Sequence, residues 1–115
     1  MQYMLLIYAS EAARQALSEQ DIGRMVAAYG AYTEAVGKAG VLVAGNRLRP
    51  AKTATTVRVV DGKTQVIDGP YAEVKEQLGG YYIIDVADLD AALGWAARCP
   101  GASFGAIEVR PIWAM

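Results

Sequence analysis

The chain of 115 residues contains no histidine and only one cysteine. Without histidine it cannot form a His–Asp dyad, a Ser–His or Cys–His nucleophile pair, or most catalytic zinc and iron sites. The single thiol, Cys99, excludes an intrachain disulfide and a zinc site built from several cysteines. Any proton transfer would therefore use carboxylates, Lys, Tyr or the thiol, and we expect no bound metal and no cofactor.

The sequence also has little net charge and no long hydrophobic run. Its formal net charge is −1, which disfavours direct contact with nucleic acid. The one basic run, Arg47, Arg49 and Lys52, is interpreted as a solvated connection in preference to a phosphate-binding patch. No apolar run approaches the ~20 residues of a membrane-spanning helix, and the first residues do not resemble a secretory signal. We expect a cytoplasmic protein without membrane contact.

Hydrophobic periodicity predicts one domain, over residues 1–115, with two helices and six strands. The helices follow N-caps at Ser18 and Asp88 and end near Gly40 and Pro100. An Asp61-Gly62 pair predicts a hairpin turn. The predicted strands are 2–8, 41–44, 55–60, 64–67, 81–86 and 106–112.

This order, strand-helix-strand twice with a hairpin between, predicts an α+β fold, a ferredoxin-like sandwich with an inserted β-hairpin. Both helices would cover one face of the sheet. The strands 2–8 and 81–86 are apolar on both faces and are therefore predicted to be central, and the apolar content exceeds the ~45–50% typical of soluble domains. We therefore expect the second face to be covered by another copy of the chain, in a homodimer.

The segment 68–81 concentrates ionisable residues between two apolar strands. Pro70 is expected to begin a short helical turn on which Tyr71 and Lys75 share a face, as do Glu73 and Glu76. A solvated surface turn capped by Asp68 is the interpretation given more weight, and a functional site is the alternative. The paired glycines that follow either let a ligand approach the backbone or mark a bulge or close strand contact.

Five segments together resemble the YCII-related family, in its DGPF-domain branch. They are 1–8 (MQYMLLIY), 54–58 (ATTVR), 68–82 (DGPYAEVKEQLGGYY), 93–100 (LGWAARCP) and 108–111 (EVRP). Tyr71 stands where the motif has its phenylalanine. The resemblance implies a dimeric α+β barrel. It also implies a possible sigma-factor link, since many members of this branch are encoded beside extracytoplasmic-function sigma factors.

A sister branch of that family has a proposed His–Asp pair and includes a dehydrochlorinase, but this chain has no histidine to supply that mechanism. The motif residues therefore transfer only as a signature. Three functions stay open: a small-molecule enzyme or ligand site near the dimer interface, a non-catalytic sensor or accessory protein linked to transcription, and a purely structural dimer. In the first, Asp68 or Glu73 is the candidate base and Lys75 holds an anionic group. The other candidate ligand-binding residues are Tyr71, Glu76, Gly79, Gly80 and Tyr8.

Overall fold

The computed structural model describes residues 1–114 as a succession of strands and helices. The elements are β1 (Gln2–Ser10), α1 (Glu11–Gln15), α2 (Glu19–Lys38), β2 (Leu42–Arg47), β3 (Thr55–Val60), β4 (Lys63–Asp68), β5 (Glu76–Asp85), α3 (Leu89–Arg98) and β6 (Ala106–Pro111). Short 3₁₀ turns occupy Ala51–Thr53 and Pro100–Ala102. None of the helices in residues 1–114 is long and apolar enough to cross a bilayer.

Four strands form one antiparallel sheet in the order β2-β5-β1-β6, and β3 and β4 form a separate two-stranded sheet. The fold is therefore α+β, as expected. Within residues 1–114 neither sheet closes into a barrel. The two strands with apolar residues on both faces, β1 and β5, are the central ones, as their composition predicts.

The hydrophobic core lies between the four-stranded sheet and the two longer helices. Tyr3, Leu5 and Ile7 alternate along β1 and are buried, and Ile84 of β5 joins them. The helices contribute a second layer of buried residues, namely Tyr32, Val36, Ala92 and Ala96. Both helices therefore cover the same face of the sheet.

The helix ends follow the signals in the sequence. Ser18 Oγ accepts a hydrogen bond from the backbone N–H of Asp21 at 3.1 Å, and the carboxylate of Asp88 caps α3 in the same way, from Ala91 at 2.9 Å. Helix α2 stops just before Gly40, whose φ of 74° places it in the left-handed region that glycine tolerates. Both predicted N-caps are confirmed.

The β3–β4 pair turns at Asp61 and Gly62, whose φ values of 51° and 75° are those of a type I′ turn. The turn therefore lies where the sequence predicts it. The pair leaves Val57, Val59 and Val66 exposed by 59%, 67% and 65%. The molecule is flat, with extents of 47 × 43 × 17 Å and a radius of gyration of 16.0 Å, against about 13 Å for a compact chain of this length.

The sequence prediction fails between β4 and β5. No helical turn follows Pro70: residues 69–75 form an irregular loop, and β5 begins at Glu76, five residues before the predicted strand. The loop is tied by its backbone. Gly69 has a φ of 108°, its N–H donates to Ala54 O at 2.8 Å, and its carbonyl accepts from the Thr56 hydroxyl at 2.8 Å. These contacts hold the loop in a conformation that a helical turn cannot adopt.

Candidate functional site

A cavity of ≈ 430 Å³ lies between the first half of α2 and the sheet. Its walls are largely apolar, with Ile22, Met25 and Val26 of α2 on one side. Ile22 and Val26 are 43% and 58% exposed, whereas Tyr32 and Val36, farther along the same apolar stripe, are buried. The stripe is therefore longer than the sheet can cover, and its uncovered half lines the cavity.

Glycines on β2 and β5 explain why the sheet leaves this space. Pairing places Gly45 opposite Tyr82 and Gly80 opposite Ile7, so both glycines lie on the face that the helices cover. A Cβ at Gly80 would lie 2.9 Å from the backbone oxygen of Asn46, and one at Gly45 would lie 2.8 Å from the Tyr82 ring. Close packing requires glycine at both positions, and the cavity floor consequently lacks side chains there.

Gly79 lies in a β-bulge. The β1–β5 register passes from Ile7 opposite Gly80 to Tyr8 opposite Leu78, so Gly79 has no partner on β1. A Cβ there would be 3.4 Å from both terminal nitrogens of Arg14. The missing side chain leaves room for that guanidinium to lie against the strand.

Arg14 and Arg47 are the charged residues that line the cavity, and both are cationic. Arg14 lies on α1 and is half-buried, and its Nε is buried without a hydrogen-bond partner. Neither arginine belongs to an ion pair within residues 1–114. Both also line a smaller adjoining space of ≈ 70 Å³, shared with Glu11, whose Oε1 accepts from the Ala51 N–H at 2.6 Å. Among residues 1–114, therefore, no carboxylate lies within ion-pair distance of either guanidinium.

Half-buried hydroxyl-bearing side chains also line the cavity, namely Tyr29, Thr33 and Tyr82. Tyr82 Oη and Thr33 Oγ1 are 2.7 Å apart, and the Tyr82 ring meets the Tyr32 ring edge-on at 5.4 Å between centroids. Burial raises the pKa of Tyr82, and it also raises the pKa of Tyr29, where the charge of Arg14 opposes the effect. These groups remain neutral donors and acceptors at physiological pH.

The sole thiol is structural in its surroundings. Cys99 is 2% exposed, and its Sγ donates a long contact of 3.9 Å to Tyr29 Oη. Burial raises the pKa of the thiol, although its hydrogen bonds with the Gly101 backbone and with Tyr29 oppose the rise. A buried thiol held in its neutral form is a poor nucleophile.

The structure separates the residues that the sequence singled out. Asp68, Glu73 and Lys75 are exposed, and none of them lines either cavity. The exposed residues also include Glu76 and the 76%-exposed Tyr71. The ring of Tyr71 lies under the guanidinium of Arg58 at 5.0 Å, and Tyr8 is half-buried on the uncovered face of the sheet. Of the candidate site residues named from the sequence, only Gly79 and Gly80 line the large cavity.

Sequence reasoning overlooked Arg14 and treated Arg47 as a solvated residue. The available signal was indirect: an apolar helical stripe facing three glycines, Gly45, Gly79 and Gly80, with an arginine on each flank. Among residues 1–114 no three carboxylates or thiols converge as a metal site would require.

Comparison with known proteins places this geometry in a family. The family model of the YCII-related domain matches residues 1–115. A relative from Rhizobium meliloti (strain 1021) is 41% identical over 114 residues, which cover 97% of this chain and 92% of that protein, and it is itself described as uncharacterised. Neither comparison assigns a reaction.

Proposed function

We propose, from the premise that this chain belongs to the family of YCII-related domains, that it binds a small molecule in the cavity between α2 and the sheet. The observation that carries the proposal is the cavity itself. Its volume of ≈ 430 Å³ falls within the ~300–1,000 Å³ of ligand pockets, which are mostly apolar with a few placed polar groups.

The exposed half of the α2 stripe supports binding over a purely structural role. Ile22 and Val26 are partly in contact with water, although they belong to the apolar stripe of α2. A ligand that covered them would gain roughly 25 cal/mol for each Å² of apolar surface removed from water.

We also propose that the chain is a ferredoxin-like sandwich with an inserted hairpin, of the DGPF branch, which pairs face to face as a homodimer. The strand order and the Asp68-Gly69-Pro70 motif support the first part. The uncovered sheet face supports the dimer, because Leu6 and Ile83 are only half-buried there. Isolated two-stranded sheets are marginally stable, so the exposed valines of β3 and β4 favour a partner as well.

Asp68, Glu73 and Lys75 do not line the cavity of their own chain, and the proposed dimer uses the other face of the sheet, so this proposal gives them no contact with a ligand in the cavity. An activity that survives Glu73→Gln and Asp68→Asn would remove both carboxylates from a catalytic role.

The cavity is tested with the neutral fluorescent probe N-phenyl-1-naphthylamine. We expect the wild-type chain to enhance its fluorescence saturably and Val26→Trp to abolish the enhancement, because the larger ring fills the cavity. Ala28→Trp places the same ring at an exposed position of α2 that does not line the cavity, and it should bind the probe normally. Equal binding by both variants would refute the cavity as the site.

The dimer is tested by sedimentation equilibrium at micromolar concentration. We expect the mass of two chains, and we expect Ile83→Asp to reduce it to one, because an unpaired charge would be buried at the interface. A monomeric mass for the wild-type chain would refute the dimer.

A further inference from the structure

We infer that the cavity selects a small apolar monocarboxylate, whose carboxylate is bound by Arg14. This inference rests on the proposed function and adds the chemical class of the ligand and the residue that recognises it. Three features support this ligand class: the sign of the charges around the cavity, the buried Nε of Arg14 and the glycine that makes space for its guanidinium.

The charge around the cavity has one sign. Arg14 and Arg47 supply the only ionised side chains among the described residues that line it. The carboxylate nearest in sequence to Arg14, Glu11, accepts from a backbone N–H of the 3₁₀ turn and forms no ion pair within the described part of the chain. Cations in a concave apolar wall attract an anion more strongly than exposed cations do, because the surrounding dielectric is low.

Arg14 has the geometry that a carboxylate needs. Arg14 is half-buried, and its Nε is buried without a hydrogen-bond partner among residues 1–114, although buried donors nearly always have one. Its two terminal nitrogens lie beside Gly79, each 3.4 Å from the position that a Cβ would take. A guanidinium binds a carboxylate through two parallel N–H···O bonds in one plane. Arg47, exposed on the neighbouring strand, adds charge at the same end of the cavity.

The remainder of the cavity suits an apolar body. Its walls beyond the two arginines are formed mainly by Leu17, Ile22, Met25 and Val26 together with aromatic rings. A ligand with its anionic head at Arg14 and its apolar part against α2 would satisfy both ends at once. A fully polar anion would leave the apolar walls hydrated, and its free energy of binding would be less favourable.

The test measures two isosteric probes by isothermal titration calorimetry, 4-phenylbutyrate and its neutral amide 4-phenylbutyramide. We expect the wild-type chain to bind the acid more tightly by about 10- to 100-fold, since a charge-assisted hydrogen-bonded pair contributes that much. Arg14→Gln should abolish the preference while leaving binding of the neutral N-phenyl-1-naphthylamine unchanged. Arg14→Lys keeps the charge without the planar pair of donors, and it should retain only part of the preference.

Arg24→Gln is the matched control. Arg24 is an exposed arginine at the start of α2 that lies 3.7 Å from Asp21 and does not line the cavity. We expect it to keep the wild-type preference. An equal loss in Arg14→Gln and Arg24→Gln would assign the effect to general surface charge and overturn the inference.

The outcomes distinguish a wrong ligand class from a wrong binding site. If the wild-type chain binds the neutral fluorescent probe but shows no preference for the acid, the ligand class is wrong and the proposed function stands. If it binds none of the three molecules, the proposed function fails together with the inference. Thermal melting of each variant shows that it is folded before titration.

Discussion

Replacing Gly80 by alanine tests whether the close packing of β5 against β2 requires glycine at this position. The added Cβ would lie 2.9 Å from Asn46 O and 3.4 Å from Arg47 Cα. Both atoms belong to the backbone of the paired strand β2, which cannot yield as a flexible side chain does. Overpacking of this kind costs about 1–3 kcal/mol, which corresponds to a fall in Tm of roughly 4–15 °C for a chain of this length.

Gly79→Ala is the matched comparison, because it adds the same methyl group to the neighbouring residue. There the Cβ would meet only the end of the Arg14 side chain, at 3.4 Å, and we expect a fall in Tm of at most a few degrees. Gly30→Ala in α2 enters open space and should raise the Tm, since alanine favours a helix by about 1 kcal/mol over glycine. Differential scanning calorimetry measures all three. A Gly80→Ala chain that melts no lower than Gly79→Ala would refute the close-packing argument.

Three further predictions concern stability and reactivity. Cys99 should react with a thiol reagent orders of magnitude more slowly in the native chain than in denaturant, and fast native labelling would contradict its burial. Burial raises the pKa of Tyr32 above its ordinary value of 10.0, so the folded chain holds protons that the unfolded chain releases. The free energy of unfolding, measured by urea titration at several pH values, should therefore fall as the pH rises above 10, and it should fall less steeply in Tyr32→Phe. That variant also loses the 2.7 Å hydrogen bond to Trp95 O, which should cost about 1 kcal/mol at neutral pH. The same dependence of the unfolding free energy on pH in both chains would rule this out. Ser18→Ala removes the cap on Asp21 N–H and should cost about 1 kcal/mol by urea unfolding, whereas an unchanged midpoint would mean that the cap contributes nothing.

Much of the fold was accessible from the sequence because its signals are local. The alternating pattern of β1, the caps at Ser18 and Asp88, and the turn at Asp61 each depend on residues within a few positions. The central position of β1 and β5 also followed, since both of their faces are apolar. These features require no knowledge of which segments meet in space.

The rest depends on contacts between distant segments. Residues 69–75 are held by Thr56 and Ala54, which precede them by a whole hairpin, so a favourable helix start at Pro70 was overridden. The five-residue helix α1 lacks the apolar periodicity by which a helix is predicted from sequence. The cavity requires glycines of two strands to face a helix from a third part of the chain. Sequence reasoning placed the site in the segment richest in charge, whereas only the last residues of that segment, Gly79, Gly80 and Tyr81, line the cavity.

The bulge at Gly79 makes the number of residues in β5 as important as their identity. With one residue unpaired, Leu78 lies opposite Tyr8 and Gln77 lies opposite the buried Ala9. Deleting either glycine would remove the unpaired residue, so Leu78 would stay opposite Tyr8 and Gln77 opposite Ala9, each on its present face. The deletion would instead take away the bulge beside which both terminal nitrogens of Arg14 lie. Among related chains that keep Arg14, we therefore expect this glycine pair to vary by substitution at its first position and not by change of length.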